Sequence, residues 1–154
     1  MLFTISCSVD ETHISSFLRE IVLFFMKTIL VIEDSPEIRE NTVELLQLNN
    51  YEVMAAENGG IGFQMAKDNL PDLILCDMMM PETDGRQFLH LAKAHKDVQR
   101  IPIVFFSAGT VSKEIQTGLI KQSNGFIKKP FSEHELLETI EREIKKPDDY
   151  HFEW

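Results

Sequence analysis

A chain of 154 residues holds one folded core with a short appendage and leaves no room for a second module. Its 25 acidic against 15 basic residues give a formal net charge of -10, a field that repels nucleic-acid phosphates and anionic membranes and argues against direct DNA binding. No apolar stretch reaches the ~20 residues of a membrane span. The amino terminus lacks a basic leader region, and Cys7 and Cys76 lack Cys-x-x-Cys spacing, so a reducing, cytoplasmic setting is expected.

Residues 1–25 stand outside the pattern that follows. Thr12 to Phe25 has amphipathic helical spacing without a strand partner, and Met26-Lys27 leads straight into the first strand. This extension reads either as an appended helix or as residues upstream of a native start at Met26, and the amino-terminal mass of the natively expressed protein separates the two. From residue 26 to 146, compact aliphatic runs alternate with segments of helical period, the pattern of βαβ units on a parallel sheet.

The predicted strands are Thr28 to Glu33, Glu52 to Ala56, Asp72 to Cys76, Ile103 to Phe106 and Gly125 to Lys128. Ile29 to Ile32 and Leu73 to Cys76 are unbroken apolar runs, as in strands covered on both faces. The first helix should open at Ser35 with Pro36 at its first position and bury a stripe of Ile38, Thr42, Leu45 and Leu46. Gly59, Gly60 and Gly62 weaken the second helix, and Gly118 the fourth, by roughly 1 kcal/mol each against alanine. Asp84 should lie near the opening of the third helix, with Gly85 relaxing the backbone. The fifth opens with a capping box of Ser132 and Glu135, followed by Leu136, Leu137, Ile140 and Ile144. Lys145-Lys146 suits a helix carboxyl end. Residues 147–154 read as a tail carrying Tyr150, Phe152 and Trp154.

In an open parallel α/β sheet, ligands bind beyond the carboxyl ends of the strands. Here those positions carry Glu33-Asp34, Asp77, Ser107 and Lys129-Pro130. Carboxylates gathered there raise one another's pKa unless a cation joins them, and all-oxygen ligation with few protein ligands suits Mg2+. A lysine can pair with a phosphoryl oxygen, a serine can donate to another, and a carboxylate can be the nucleophile. Taken singly, each residue has a plainer role: a helix-dipole partner, a turn aspartate, a loop hydroxyl or a solvated lysine. Met78-Met79-Met80 is read as apolar packing rather than a soft-metal site, and the five histidines show no ligand spacing.

As a set, Ile32-Glu33-Asp34-Ser35, Asp77 to Pro81 with Asp84-Gly85, Ser107-Ala108 and Lys128-Lys129-Pro130-Phe131 resemble the motifs of two-component response regulator receiver domains. The resemblance runs from Met26 to about Lys146. It implies a doubly wound, five-stranded, flavodoxin-like (CheY-like) α/β fold with strand order 2-1-3-4-5. It further implies that Asp77 accepts a phosphoryl group, that Glu33, Asp34, Asp77 and the backbone carbonyl of Met79 hold Mg2+, with Glu33 acting through water, and that Lys129 pairs with the phosphate. Ser107 and the switch aromatic Phe126 would then move inward and alter the surface of the fourth helix, fifth strand and fifth helix.

The implied donor is a histidine kinase or histidine phosphotransfer protein, the implied target another protein, and no output domain is expected within the chain. One departure is Glu-Asp in place of the commoner Asp-Asp. Met79 and Gly109 stand where side chains shield or admit the hydrolytic water. Two other readings are weaker. An Asp-nucleophile phosphohydrolase of the haloacid dehalogenase type would carry Asp-x-Asp after strand one, where Glu33-Asp34-Ser35 stands. A phosphate-independent binding module would not need the full set of side chains. The chain is therefore expected not to be an enzyme beyond its own phosphoryl transfer and dephosphorylation.

Overall fold

In the structure, a computed structural model, the described residues are 26–81, 84–108, 118 and 121–144. The elements are β1 (Thr28–Ile32), α1 (Pro36–Leu48), β2 (Glu52–Ala56), α2 (Gly59–Asn69), β3 (Leu73–Asp77), α3 (Gly85–Ala94), a short 3-10 turn (Val98–Arg100), β4 (Ile103–Ala108), β5 (Gly125–Lys129) and a C-terminal helix (Glu133–Ile144). The five strands form one parallel sheet in the order β2-β1-β3-β4-β5, the order the motifs implied. The expected fourth helix, residues 1–25, and Lys145-Lys146 with the tail lie outside the described residues.

Period-two alternation sorts each strand's side chains onto the two faces. Leu30, Ile32, Ile74, Cys76, Ile103 and Phe105 pack with Ala66 of α2 and with Phe88, Leu89 and Ala92 of α3. Ile29, Val31, Leu73, Leu75, Val104 and Phe106 pack with Leu46 of α1 and with Leu136 and Ile140 of the C-terminal helix. Coverage of both faces is the physical reason that β1 and β3 are continuous apolar runs. Among the described residues, no helix is long and apolar enough to cross a membrane.

Several local expectations shift. β3 ends on Asp77 itself rather than on Cys76, so the carboxylate leaves from the last hydrogen-bonded position of a central strand. β4 runs on through Ser107 to Ala108 because β5 pairs with it up to Ala108 and Lys129. Thr42 and Leu46 are buried, but Ile38 is 36 % exposed, because it lies in the first turn of α1, beyond the reach of the cluster. The Ser132 hydroxyl accepts from Glu135 N at 3.2 Å, the hydroxyl half of the predicted capping box.

Gly62 and Gly85 are required for a reason other than helix propensity. A Cβ on Gly62 would stand 2.4 Å from Ile32 Cδ1, so α2 lies directly on β1 only because the side chain is absent. A Cβ on Gly85 would stand 2.8 Å from Phe105 Cε1 and 3.0 Å from Met78 Cα. Gly85 thus permits close approach rather than relaxing the backbone.

Candidate functional site

The carboxyl rim of the sheet gathers the polar residues that the sequence places at strand ends. Glu33 follows β1 directly, its N-H donating to Ala56 O at 3.0 Å. Its side chain is buried and both carboxylate oxygens are engaged: Oε1 accepts from Ser35 N at 3.0 Å and Oε2 from Lys129 Nζ at 2.5 Å. Asp34 is half-buried. Asp77, 5 % exposed, accepts from the Met79 backbone N-H and lies 3.5 Å from Lys129 Nζ through Oδ1. Glu33, Asp34 and Asp77 each offer a carboxylate oxygen within 4.8 Å of the others. These three oxygens form a hard, all-oxygen donor set that can hold a metal ion, with no sulfur or imidazole to favour a softer one.

Lys129 completes the rim from the end of β5. Its ammonium also lies 4.4 Å from the centroid of Phe106, whose ring meets the edge of Phe131. Three carboxylates thus face one ammonium. Glu33 and Asp77 both have raised pKa values. Like-charge repulsion is the cause anticipated from sequence, but burial is the larger one, opposed in each case by Lys129.

Ser107 has no exposed surface, and its Oγ is buried without a hydrogen-bond partner, unlike any other side-chain polar atom among the described residues. A buried hydroxyl left unpaired costs free energy, so Ser107 keeps an unused donor at the end of β4. Phe126 pairs with Phe105 across β4 and β5 and is half-buried against the α2 and α3 cluster. By strand alternation it faces the same side as Ser107.

Met78 and Met80 are buried and Met79 is 62 % exposed, which fits packing around a loop and leaves the Met79 side chain at the open edge. Asp84 caps α3, accepting from Arg86 N and Gln87 N at 3.0 Å each. Cys76 is a free, buried thiol whose pKa burial pushes well up, keeping it protonated.

Two features were not anticipated. A cleft of about 230 Å³ beside the acidic cluster is lined by Asp34, Glu57, Asn58, Met80 and Pro81, and Glu57-Asn58, just past β2, had as good a strand-end signal as Asp77. Arg39, one turn into α1, donates through Nη1 to the carbonyls of Glu33 at 2.7 Å and Asp34 at 3.3 Å. Nothing in the sequence marks it beyond its four-residue distance from the β1 loop.

The model of the response regulator receiver domain matches residues 29–141. The phosphate regulon transcriptional regulatory protein PhoB of Pseudomonas aeruginosa is 35% identical over 121 residues, covering 78% of this chain and 52% of PhoB. Protein PilH of the same organism is 29% identical, covering 75% of this chain and 95% of PilH. The chain therefore spans about half the length of PhoB and nearly all of PilH. Among solved structures, the chemotaxis protein CheY4 of Vibrio cholerae superposes with a TM-score of 0.70 at 29% identity, covering 76% of this chain and 98% of CheY4.

Proposed function

This chain belongs to the response regulator receiver domain family of two-component signalling, and on that premise we propose that Asp77 is its phosphoryl acceptor. The donor is the phosphohistidine of a histidine kinase or a histidine phosphotransfer protein. One observation carries the reading: a carboxylate at the end of a central strand, 5 % exposed, stands within 4.8 Å of carboxylate oxygens of Glu33 and Asp34 and 3.5 Å from Lys129 Nζ, which also pairs with Glu33.

In this reading an Asp77 carboxylate oxygen forms the O-P bond as the P-N bond to the donor imidazole breaks and its electron pair returns to the ring. Asp34, Asp77 and the Met79 carbonyl would hold Mg2+. The ion, when bound, neutralises charge developing on the phosphoryl oxygens. Glu33 would take part through water, which agrees with both its oxygens already being engaged by Ser35 N and Lys129. Lys129 exchanges its carboxylate partners for a phosphoryl oxygen. The partnerless Ser107 hydroxyl donates to another, and its inward movement opens space for Phe126 to rotate inward.

The output is a changed docking surface on the fourth helix, fifth strand and C-terminal helix for a protein partner, in the cytoplasm. This is a two-state population shift biased by local charge. The chain catalyses its own phosphoryl gain and loss and turns over no external phosphomonoester. Incubation with Mg2+ and a small acyl phosphate, followed by intact mass, is expected to show one phosphoryl adduct that disappears in Asp77→Asn. No adduct on wild type, or one that survives Asp77→Asn, overturns the proposal.

A further inference from the structure

Resting on the proposed function, we infer that Arg39 is a positioning residue for cation binding: its guanidinium fixes the loop from which Glu33 and Asp34 present their carboxylates. The loop between β1 and α1 is only three residues long, 33–35, and two of the three clustered carboxylates come from it. Glu33 is secured at its N-H by Ala56 O, at one carboxylate oxygen by Ser35 N and at the other by Lys129. Asp34 has none of these ties. Among the described residues, the hydrogen bond from Arg39 Nη1 is the one that reaches the Asp34 backbone from another element, at its carbonyl.

The same nitrogen reaches the Glu33 carbonyl at 2.7 Å, so a single planar group spans two successive peptides. Arg39 is half-buried on α1, and its own N-H is bound to Ser35 O at 2.9 Å, which ties the clamp to the helix that starts where the loop ends. Mg2+ tolerates little departure from its preferred geometry, so a carboxylate presented from a loosened loop loses affinity for it. Groups that orient ligands from behind typically contribute 10 to 100-fold in metal affinity.

Electrostatics alone makes the opposite forecast. Arg39 is a cation near an anionic site, so if charge were its whole effect, removing it would tighten Mg2+ binding. The two accounts differ in sign. Arg39→Lys separates them again, because it keeps the charge but its side chain is one bond shorter and stops short of the position Nη1 holds between the two carbonyls.

The test is an Mg2+ titration of the full chain, followed through the backbone amide resonances of Asp34 and Ser35, for wild type, Arg39→Lys and Arg39→Met. Arg39→Met is expected to weaken Mg2+ about tenfold, with Arg39→Lys between it and wild type. At saturating Mg2+, phosphorylation of Arg39→Met by a small acyl phosphate should return to within about twofold of wild type, as for lost ground-state organisation rather than lost chemistry. Equal or tighter Mg2+ binding by Arg39→Met overturns this inference while leaving the proposed function standing. A wild type whose amides do not respond to Mg2+ removes both. Should Arg39→Met not fold, Arg39→Lys carries the test alone, and wild-type affinity in that variant refutes the inference.

Discussion

Replacing Asp77 with asparagine should make the metal-free protein more stable, although it destroys the proposed chemistry. At 3.5 Å and an effective dielectric constant of 20, attraction between Asp77 and Lys129 is about 5 kcal/mol. Glu33 and Asp34, with oxygens within 4.8 Å, repel Asp77 by about 3.5 kcal/mol each at that limit. The Coulomb balance is thus roughly 2 kcal/mol against the Asp77 charge, and burial at 5 % exposure adds to it. Asparagine keeps the acceptor for the Met79 N-H and removes the charge.

Allowing for solvent screening, the expected gain is about 1 to 2 kcal/mol, on the order of 5 °C in Tm. Mg2+ should reverse the ranking. At 100 times its Kd a bound ion stabilises wild type by about 2.7 kcal/mol, whereas the variant, lacking a ligand charge, gains much less. Urea unfolding at neutral pH, with chelator and then with excess Mg2+, measures both. An Asp77→Asn protein less stable than wild type in chelator, toward the roughly 3 to 5 kcal/mol lost when one partner of a buried ion pair is removed, would show that Lys129 outweighs burial and repulsion, and would refute the reasoning.

Three further outcomes follow from the same geometry. Because burial raises the folded pKa values of Glu33 and Asp77 above their ordinary 4.5 and 3.8, the folded state holds more protons than the unfolded chain between those values and the raised ones. These two groups therefore cost metal-free stability as pH rises through that window, and the advantage of a Glu33→Gln/Asp77→Asn protein in urea should grow with pH; a pH-independent difference contradicts this. Gly62→Ala sets overpacking of about 1 to 3 kcal/mol against Ile32 over a helix-propensity gain of about 1 kcal/mol. A net loss near 1 kcal/mol, partly recovered by Ile32→Val, is expected in urea, and a more stable Gly62→Ala would mean that Ile32 yields freely. Ser107→Ala removes a buried oxygen without a partner, so stability should hold or rise by up to about 1 kcal/mol while phosphorylation-dependent shifts of the Phe126 resonances vanish; their persistence would detach Ser107 from the switch.

How far the site could be read from sequence depended on whether a residue's role was set by its own strand. Glu33, Asp34, Asp77, Ser107 and Lys129 all follow apolar runs, and parallel strands bring such positions to one rim whatever the details of packing. Gly62 was legible only as a weak helix former and Gly85 only as a point of backbone relaxation, since their function is defined by Ile32, Met78 and Phe105 on other elements. Arg39 was invisible because its partners are backbone carbonyls, which every residue has. Ile38 was assigned to the core because periodicity gives a face but not how far along a helix the neighbouring layer extends. Repulsion among carboxylates was foreseen, whereas the larger contribution of burial needed the depth of the rim.

The direction of the strands also decides how this molecule can be handled. All five strands run toward the acidic rim, and the C-terminal helix runs back from β5, so the polypeptide enters at Thr28 and leaves the described fold at Ile144 on the opposite side from Asp77. Twelve helical residues, roughly 18 Å of travel, separate that exit from the level of Lys129. A tether through either of those points would stand at the end of the described fold opposite the proposed phosphoryl site.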